Sequence, residues 1–341
     1  MQPLPRRAIV GLALVLSTGV LVACSSGATT SSPNGTQGAT KTGALTIAYL
    51  QKQGDQQYFV DEANGAKQQA ATMGNVKVDV VDLGTDSNQA ISDLTTEIGQ
   101  QVDGIAIVVP DQKIGPQVVG QAASANIPLL SSDDPITDGA GKAAPFVGFD
   151  SVQMGTAVGK EAATLYQKAG WNPADTKVLA VYQQGLSDCQ QREQGEEAGF
   201  AGAAGATLPI VKVGTDNSVV DAQNKTGAVI TANPQVKNWV VWGCNDESET
   251  GAVTALQNSG LAPADIIGVG LGGYLTCKDW QAGKASGNKA ALFIDGRQVG
   301  AQSIKVLVDH LRTGAALPAK TIVPTKIVDP SNWKQAGLVC T

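Results

Sequence analysis

The feature that most constrains the fold is a regular alternation of short β-rich runs and longer helical segments from residue 45 onward. Runs rich in valine, isoleucine and leucine predict strands at 45–50, 76–83, 104–109, 127–131, 177–182, 208–213, 239–242, 266–269 and 290–294. Helices are predicted between them at 59–73, 88–100, 154–169, 190–204, 219–232, 249–259 and 299–313. Short strands separated by longer helices form right-handed βαβ units, which build parallel sheets covered by helices on both faces.

The alternation runs through two series that divide near residues 146–150. Each series begins again with a strand, so the sequence predicts an α/β protein of two doubly wound parallel-sheet lobes joined by a hinge. The predicted N-terminal lobe comprises residues 44–148 and 293–320, and the C-terminal lobe comprises 149–292 and 321–341. The chain would then cross between the lobes near residues 147, 292 and 321.

Composition and motifs exclude several other classes of protein. With 43% hydrophobic and 16% charged residues the chain is too apolar for intrinsic disorder, and its net charge of −6 argues against nucleic-acid binding. The one histidine, His310, falls within a predicted helix, and the motifs of serine hydrolases, P-loop proteins and zinc proteases are absent from the sequence. Gly268, Gly270 and Gly273 formally match a dinucleotide-binding pattern, but the first two fall within or at the end of a strand and the next segment is poorly helical. No catalytic residue, cofactor or metal site is predicted.

The first 43 residues predict export and attachment to a membrane. Arg6 and Arg7 precede an apolar run that ends in Leu-Val-Ala-Cys at Cys24, which is the pattern of a secretory signal peptide at 1–23. This ending resembles the bacterial lipobox, which implies that Cys24 is lipidated and that the protein lies at the outer face of the cell membrane. The alternative is a transmembrane anchor, for which the apolar stretch is near the lower limit of length. Residues 24–43 have no large apolar side chain and predict a flexible tether.

Four further cysteines, Cys189, Cys244, Cys277 and Cys340, would lie in a compartment where disulfides persist. Four cysteines allow three pairings, and the sequence does not choose among them. Unpaired, buried cysteines are the alternative.

Polar residues follow the predicted strands, where doubly wound lobes bind ligands. A carboxylate accepts hydrogen bonds from neighbouring hydroxyls, Lys and Arg donate, an amide does both, and an aromatic ring covers C–H surface, so this set suits a polyhydroxyl ligand. The candidate residues are Lys52, Gln56, Tyr58, Asp133, Asp134, Asp188, Arg192, Asn245 and Asp295. Structural roles are the alternatives: Asp133 and Asp134 could cap a turn, Lys52 could be solvated, Tyr58 could belong to the core, and Asp246 could cap a helix.

Several stretches resemble the periplasmic sugar-binding proteins of ABC importers, of the ribose, arabinose and galactose type. The likeness covers residues 45–340. The stretches that carry it are 50–53, 58–59, 104–111, 133–134, 186, 192, 234–239, 243–246 and 264–270. It implies that sugar hydroxyls and the ring oxygen contact Lys52, Asp133, Asp134, Arg192 and Asn245. It also implies that Tyr58 replaces a stacking tryptophan, that Gln56 replaces a glutamate of the arabinose binders, and that Phe149 lines the pocket at the hinge.

The sequence departs from this family at two positions, where Gly272 stands for an asparagine and Leu275 for an acid. The expected ligand is therefore a small pentose or a sugar alcohol such as xylitol or a tetritol, rather than arabinose. The resemblance implies a monomer without enzymatic activity that closes over its ligand and docks on an ABC permease with a cytoplasmic ATPase. The alternatives are a receptor that signals, a sugar-responsive repressor, which would need an N-terminal helix-turn-helix, and a secreted hydrolase that uses Asp133 and Asp188.

Overall fold

A computed structural model of the chain describes residues 40–341. The predicted signal peptide, Cys24 and the tether up to residue 39 lie outside the described residues. From residue 40 onward, no helix has both the length and the apolar character needed to cross a bilayer.

The described residues form alternating strands and helices. The strands are β1 (Leu45–Gln51), β2 (Val76–Asp82), β3 (Gly104–Ile107), β4 (Leu129–Asp133), β5 (Phe146–Gly148), β6 (Thr176–Tyr182), β7 (Ile210–Gly214), β8 (Asn238–Gly243), β9 (Ile266–Gly272), β10 (Asn288–Phe293), β11 (Lys320–Ile322) and β12 (Lys326–Val328). The helices are α1 (Gln57–Met73), α2 (Ser87–Gly99), α3 (Gly115–Ser124), α4 (Ser151–Ala169), α5 (Ser187–Ala203), α6 (Val219–Ala232), α7 (Asp246–Asn258), α8 (Cys277–Gln281) and α9 (Gly296–Thr313).

The strands form two sheets with the same order, which confirms the predicted pair of doubly wound lobes. The first sheet is ordered β11-β5-β4-β3-β1-β2 and is parallel throughout. The second is ordered β12-β10-β9-β8-β6-β7 and is parallel except at β12, which runs antiparallel to β10. Apolar residues of α1 and α9 pack on one face of the first sheet and those of α2 and α3 on the other. In the second lobe α4 and α5 cover one face, and α6 and α7 cover the other.

Each predicted strand and helix overlaps an observed one, but the sequence missed the short elements α3, α8, β5, β11 and β12. Helix α3 opens on a glycine and a proline, which together usually indicate a turn. The three missed strands have three residues each, too few to show a periodic pattern.

The chain crosses between the lobes three times, after β5, after β10 and after β11. Strand β11 belongs to the first sheet up to Ile322, whereas the predicted lobe limit falls at residue 320. The largest buried apolar cluster runs through all three crossings and includes Phe149, Ile294 and Val323. An ion pair of 2.9 Å between Lys320 Nζ and Asp150 Oδ2 joins β11 to the start of α4, so two of the crossings are tied together.

Glycines allow α4 and α5 to pack unusually closely. A Cβ atom at Gly155, Gly159, Gly195 or Gly199 would overlap main-chain atoms of the facing helix. The carbonyl that faces Gly155 is that of Arg192, so this packing fixes the position of the turn of α5 that carries Arg192.

Candidate functional site

A cavity of about 720 Å³ lies between the carboxyl edges of the two sheets, where doubly wound folds bind ligands. Its walls come from both lobes and combine charged side chains with a few aromatic and aliphatic ones. The first lobe contributes Lys52, Gln56, Tyr58, Phe59, Asp133 and Asp134. The second contributes Leu186, Asp188, Arg192, Asn245, Glu247 and Tyr274.

Most of the sequence-predicted residues therefore meet at one cavity, but Phe149 and Asp295 do not line it. Phe149 is buried in the apolar cluster at the hinge, because the chain turns from β5 into α4 with this side chain towards the core. Asp295 caps α9 by accepting a hydrogen bond from the main-chain N–H of Gln298, which is the structural role that an aspartate at a helix start commonly takes.

The helix-capping role predicted for Asp246 belongs to its neighbour. The Asn245 side chain caps α7 by accepting from the N–H of Ser248 at 3.1 Å. Asp246 is the first residue of α7 and instead accepts from the N–H groups of Leu275 and Thr276, at 2.5 and 3.0 Å. Asp246 therefore braces the segment that follows β9, and Asn245 is a capping residue that also lines the cavity.

In the first lobe, the two aspartates at the end of β4 are held by different partners. Tyr58 donates from its hydroxyl to Asp133 Oδ1 at 2.7 Å, and Lys52 Nζ lies 3.3 Å from Asp134 Oδ2. The Lys52 and Asp134 side chains are only 13% and 4% exposed, so Lys52 is part of the cavity and not a solvated charge. Asp133 has a φ of +61°, a strained value for a residue other than glycine. Such strain is often found at functional sites.

In the second lobe, α5 brings Asp188 and Arg192 to the cavity. Arg192 donates from Nη1 to the carbonyl oxygen of Cys244 at 3.0 Å, while its buried Nε has no hydrogen-bond partner within residues 40–341. Asp188 accepts from Gln112 Nε2 of the first lobe at 2.7 Å. The site thus holds both an unused buried donor and a direct contact between the lobes.

The pKa values of these three aspartates shift in different directions. Burial raises the pKa of Asp133 to about 6, and the nearby Asp134 carboxylate adds to this shift. Burial also raises the pKa of Asp188 well above its usual range, and its charge would face that of Asp134. For Asp134, burial is outweighed by Lys52 and by the hydrogen bond with Asp188, so its pKa is lowered. These shifts favour the protonated form of Asp188 and the ionised form of Asp134.

The structure pairs the four described cysteines as Cys189–Cys244 and Cys277–Cys340, with Cα–Cα distances of 5.0 and 5.6 Å. The alternative of unpaired cysteines is therefore wrong. The first disulfide joins the start of α5 to the end of β8, next to Asp188 and Asn245.

Sequence reasoning missed Asn217 as part of the site. Its φ is +66°, and its Oδ1 accepts from the N–H of Gln183 at 2.9 Å. Its carbonyl oxygen accepts from Asn245 Nδ2 at 2.9 Å, so Asn217 links the loops that follow β6, β7 and β8. The only signal in the sequence is an asparagine just before a helix, which is common in turns.

Glu247 and Tyr274 also line the cavity and were not predicted as site residues. Gln56 of the first lobe donates from Nε2 to Glu247 Oε1 at 2.7 Å and to the Tyr274 hydroxyl at 3.0 Å. Lys113 makes a further contact across the cleft, to the carbonyl oxygen of Gly185 at 2.9 Å. The two lobes are therefore in a closed arrangement, with hydrogen bonds that join them directly.

Two hinged α/β lobes that close on a cavity lined by buried hydrogen-bonding groups define a clamp-like binding protein. The sequence profile of the periplasmic binding protein domain matches residues 47–316, and the chain belongs to this family. The resemblance found in the sequence is thereby confirmed.

Two relatives in sequence are named for arabinose. An ABC transporter L-arabinose-binding periplasmic protein of Azospirillum brasilense is 28% identical over 319 residues, which cover 89% of this chain and 92% of the relative. The L-arabinose-binding periplasmic protein of Escherichia coli is 25% identical over 297 residues, which cover 85% of this chain and 89% of the relative.

Solved structures share the fold. The myo-inositol-binding protein of Caulobacter, with bound myo-inositol, has a TM-score of 0.75 at 23% identity, covering 87% of this chain and 97% of that one. An ABC transporter solute-binding protein of Mycobacterium smegmatis with bound glycerol has a TM-score of 0.73 at 23% identity, covering 86% and 96%.

Proposed function

We propose that this protein is the substrate-binding component of an ABC importer. It captures a small monosaccharide or sugar alcohol between its lobes, namely a pentose, a pentitol or a tetritol such as xylitol or threitol. The observation that carries this proposal is the surplus of carboxyl groups over cations at the cavity. The carboxyl groups that line it include those of Asp133, Asp134, Asp188 and Glu247, whereas Lys52 and Arg192 are the only two cations among the described lining residues. Burial raises the pKa of Asp133, Asp188 and Glu247.

A cavity in which carboxyl groups outnumber cations favours an uncharged ligand over an anion. A carboxylate or phosphate group would add a buried negative charge without a free cation to compensate it, which is unfavourable at a site removed from water. Uncharged hydroxyls can instead donate to the aspartates and accept from Lys52 and Arg192 in charge-assisted hydrogen bonds. Phe59, Leu186 and Leu271 offer apolar surface for the C–H groups of such a ligand.

The named ligands of the relatives agree with this chemistry. Those of the two sequence relatives and of the two solved structures described above are neutral polyhydroxyl compounds: L-arabinose, myo-inositol and glycerol. Gly272 and Leu275 lack the polar side chains that the family resemblance leads one to expect. This difference supports a pentose other than arabinose or an open-chain polyol for this chain.

Binding and release follow from the two-lobed arrangement. A ligand that contacts Asp133 on one lobe and Arg192 on the other stabilises the closed state, because only closure brings both groups to it. Several charge-assisted hydrogen bonds of roughly 1.5–3 kcal/mol each, reduced by the free energy of closure, suggest a Kd near 1 μM, about −8 kcal/mol. The closed protein, a monomer, would then dock on a membrane permease driven by a cytoplasmic ATPase.

After removal of residues 1–23, a lipid on Cys24 would attach the protein to the outer face of the cell membrane. The protein would bind its ligand without converting it, since the curated relatives are named as binding proteins. The mass of the N-terminal peptide of the protein isolated from membranes tests the lipid anchor, and an unmodified Cys24 would contradict it.

Titration calorimetry with a panel of neutral and acidic compounds tests the proposed ligand class. The panel comprises L-arabinose, D-ribose, D-xylose, xylitol, L-threitol, erythritol, myo-inositol and D-xylonate. We expect at least one of the pentoses, xylitol or the tetritols to bind with a Kd near 1 μM and D-xylonate to bind far more weakly. If none of the neutral compounds in the panel binds, the proposed function is wrong.

Ligand binding is expected to weaken in acid. Asp133 is ionised above its pKa of about 6 in the ligand-free protein, and a ligand hydroxyl donates best to the ionised form. Its protonation below pH 6 therefore competes with binding, and the Kd should rise by up to about tenfold per pH unit as the pH falls from 6 to 5. Asp134, whose pKa is lowered, stays ionised over this range. Calorimetry from pH 8 to 5 tests this, and an equally steep dependence in Asp133→Asn would contradict it.

A further inference from the structure

We propose that Glu247, held in place by Tyr274, forms a second hydrogen-bonding subsite of the cavity, which selects ligands by a hydroxyl group distant from Asp133 and Asp134. This inference rests on the proposed function and deepens it. It assigns a specificity-determining role to two residues of the second lobe that the sequence did not predict.

The first observation is the unequal use of the two carboxylate oxygens of Glu247. Oε1 accepts from Gln56 Nε2 and from the Tyr274 hydroxyl, each at 2.7 Å. Oε2 is buried and has no hydrogen-bond partner among the described residues. A buried acceptor without a donor is unfavourable, and Glu247 lines the cavity, so a ligand hydroxyl that donates to Oε2 would remove this penalty.

The second observation explains why Tyr274 can reach Glu247. Gly272 has a φ of +130°, a conformation open mainly to glycine. A Cβ atom at Gly272 would lie 2.8 Å from Cε1 of the Tyr274 ring and 3.2 Å from Cβ of Asp246. The tyrosine ring thus fills the space that any side chain at residue 272 would need. The polar group missing at Gly272 is replaced by a different pair, the hydroxyl of Tyr274 and the carboxylate of Glu247.

The third observation is that contacts within the second lobe hold both members of this pair in place. The carbonyl oxygen of Tyr274 accepts from the N–H of Thr341 at 3.0 Å, and the Cys277–Cys340 disulfide fastens the same C-terminal segment three residues further along. Glu247 stands in the first turn of α7, which Asn245 caps. A binding group whose position is already set loses little entropy on binding, and it discriminates more sharply between ligands.

The fourth observation is that both subsites lie beside the start of α1. Gln56, the residue before α1, donates to Glu247, and Tyr58, in its first turn, donates to Asp133. Both carboxylates line the same cavity, so one polyhydroxyl ligand can contact the two subsites together. A ligand that lacks the hydroxyl at Glu247 would leave this carboxylate without a donor. A ligand that carries an anionic group there would place two negative charges together.

Calorimetry of Glu247→Gln and Tyr274→Phe with the same panel tests this subsite. For the tightest neutral ligand we expect about a ten- to hundredfold higher Kd in Glu247→Gln and a smaller loss, about threefold to tenfold, in Tyr274→Phe. The ratio of the Kd for D-xylonate to the Kd for xylitol should fall at least about tenfold in Glu247→Gln, because like-charge repulsion is removed. A purely structural role would weaken both ligands equally.

Matched substitutions outside the cavity serve as controls. Glu161→Gln and Tyr166→Phe, both on α4, change the same side-chain types away from the cavity and should bind the panel like the wild type. Unchanged affinity and an unchanged xylonate ratio in Glu247→Gln, with the wild type binding normally, overturn the inference alone. Failure of the wild type to bind any neutral panel member overturns the proposed function and this inference together. If Glu247→Gln does not fold, monodeoxy analogues of the tightest ligand test the subsite in the wild-type protein. We expect at least one of these analogues to bind about tenfold or more weakly than the ligand itself. Equal binding of all of them would refute the subsite.

Discussion

Replacement of Arg192 with methionine is expected to raise the Kd for the neutral ligand by about a hundredfold or more. The guanidinium is the cation that the second lobe places at the cavity, and its buried Nε has no hydrogen-bond partner among residues 40–341. Methionine keeps much of the volume but removes every donor. Asp133 and Asp134 would then share only Lys52, and the ligand would lose its charged contact on the second lobe. Calorimetry with xylitol and D-xylose measures the effect.

The matching control for this substitution is Arg297→Met. Arg297 is 48% exposed and pairs with Asp61 on the outside of the first lobe, so its loss should leave the Kd within about twofold of the wild type. Arg192→Lys keeps the charge but not the planar fork of donors, and it should bind with intermediate affinity. A Kd for Arg192→Met within threefold of the wild-type value would show that Arg192 does not contact the ligand.

Removal of the Cys189–Cys244 disulfide is expected to lower the free energy of unfolding by about 4 kcal/mol. The two cysteines are 55 residues apart, and opening this loop gives the unfolded chain more conformational freedom. Urea denaturation of the Cys189→Ala/Cys244→Ala variant measures this loss of free energy. The fluorescence of the buried tryptophans Trp239 and Trp242 monitors the unfolding.

The second disulfide provides an internal comparison. Cys277 and Cys340 are 63 residues apart, so Cys277→Ala/Cys340→Ala should lose a similar free energy, again about 4 kcal/mol. Wild-type protein unfolded with a reductant present should be less stable than either variant without reductant, because it loses both bonds. A change below about 1 kcal/mol in the Cys189→Ala/Cys244→Ala variant would contradict the prediction.

The sequence predicted the fold well because its signal is repeated. Each βαβ unit repeats the same pattern of a short apolar strand followed by a longer helical segment, so the nine predicted strands and seven predicted helices reinforced one another. The short strands β5, β11 and β12 escaped notice, although they carry the chain through the hinge. Their pairing is decided by neighbours far away in the sequence, such as Phe146 with Lys320.

The location of the cavity also followed from the sequence, since parallel strands place their carboxyl ends at one edge of the sheet. What the sequence could not predict are relations between groups that meet only in the folded protein. Asp134 and Asp188 come from different lobes, and the effect of each on the pKa of the other depends on closure of the cleft. Glu247 and Tyr274 are joined across 27 residues, through a backbone conformation at Gly272 that no pattern reveals.

The discontinuous make-up of the first lobe has a consequence for the order of events during synthesis. Helix α9, which buries Val299, Ile304 and Leu307 against the first sheet, and the edge strand β11 both come from the last part of the chain. The first lobe therefore cannot be completed until nearly the whole polypeptide has left the ribosome, although its opening strand is made early. For a chain proposed to be exported, this postpones stable folding until after translocation can begin, because a translocating chain must remain unfolded.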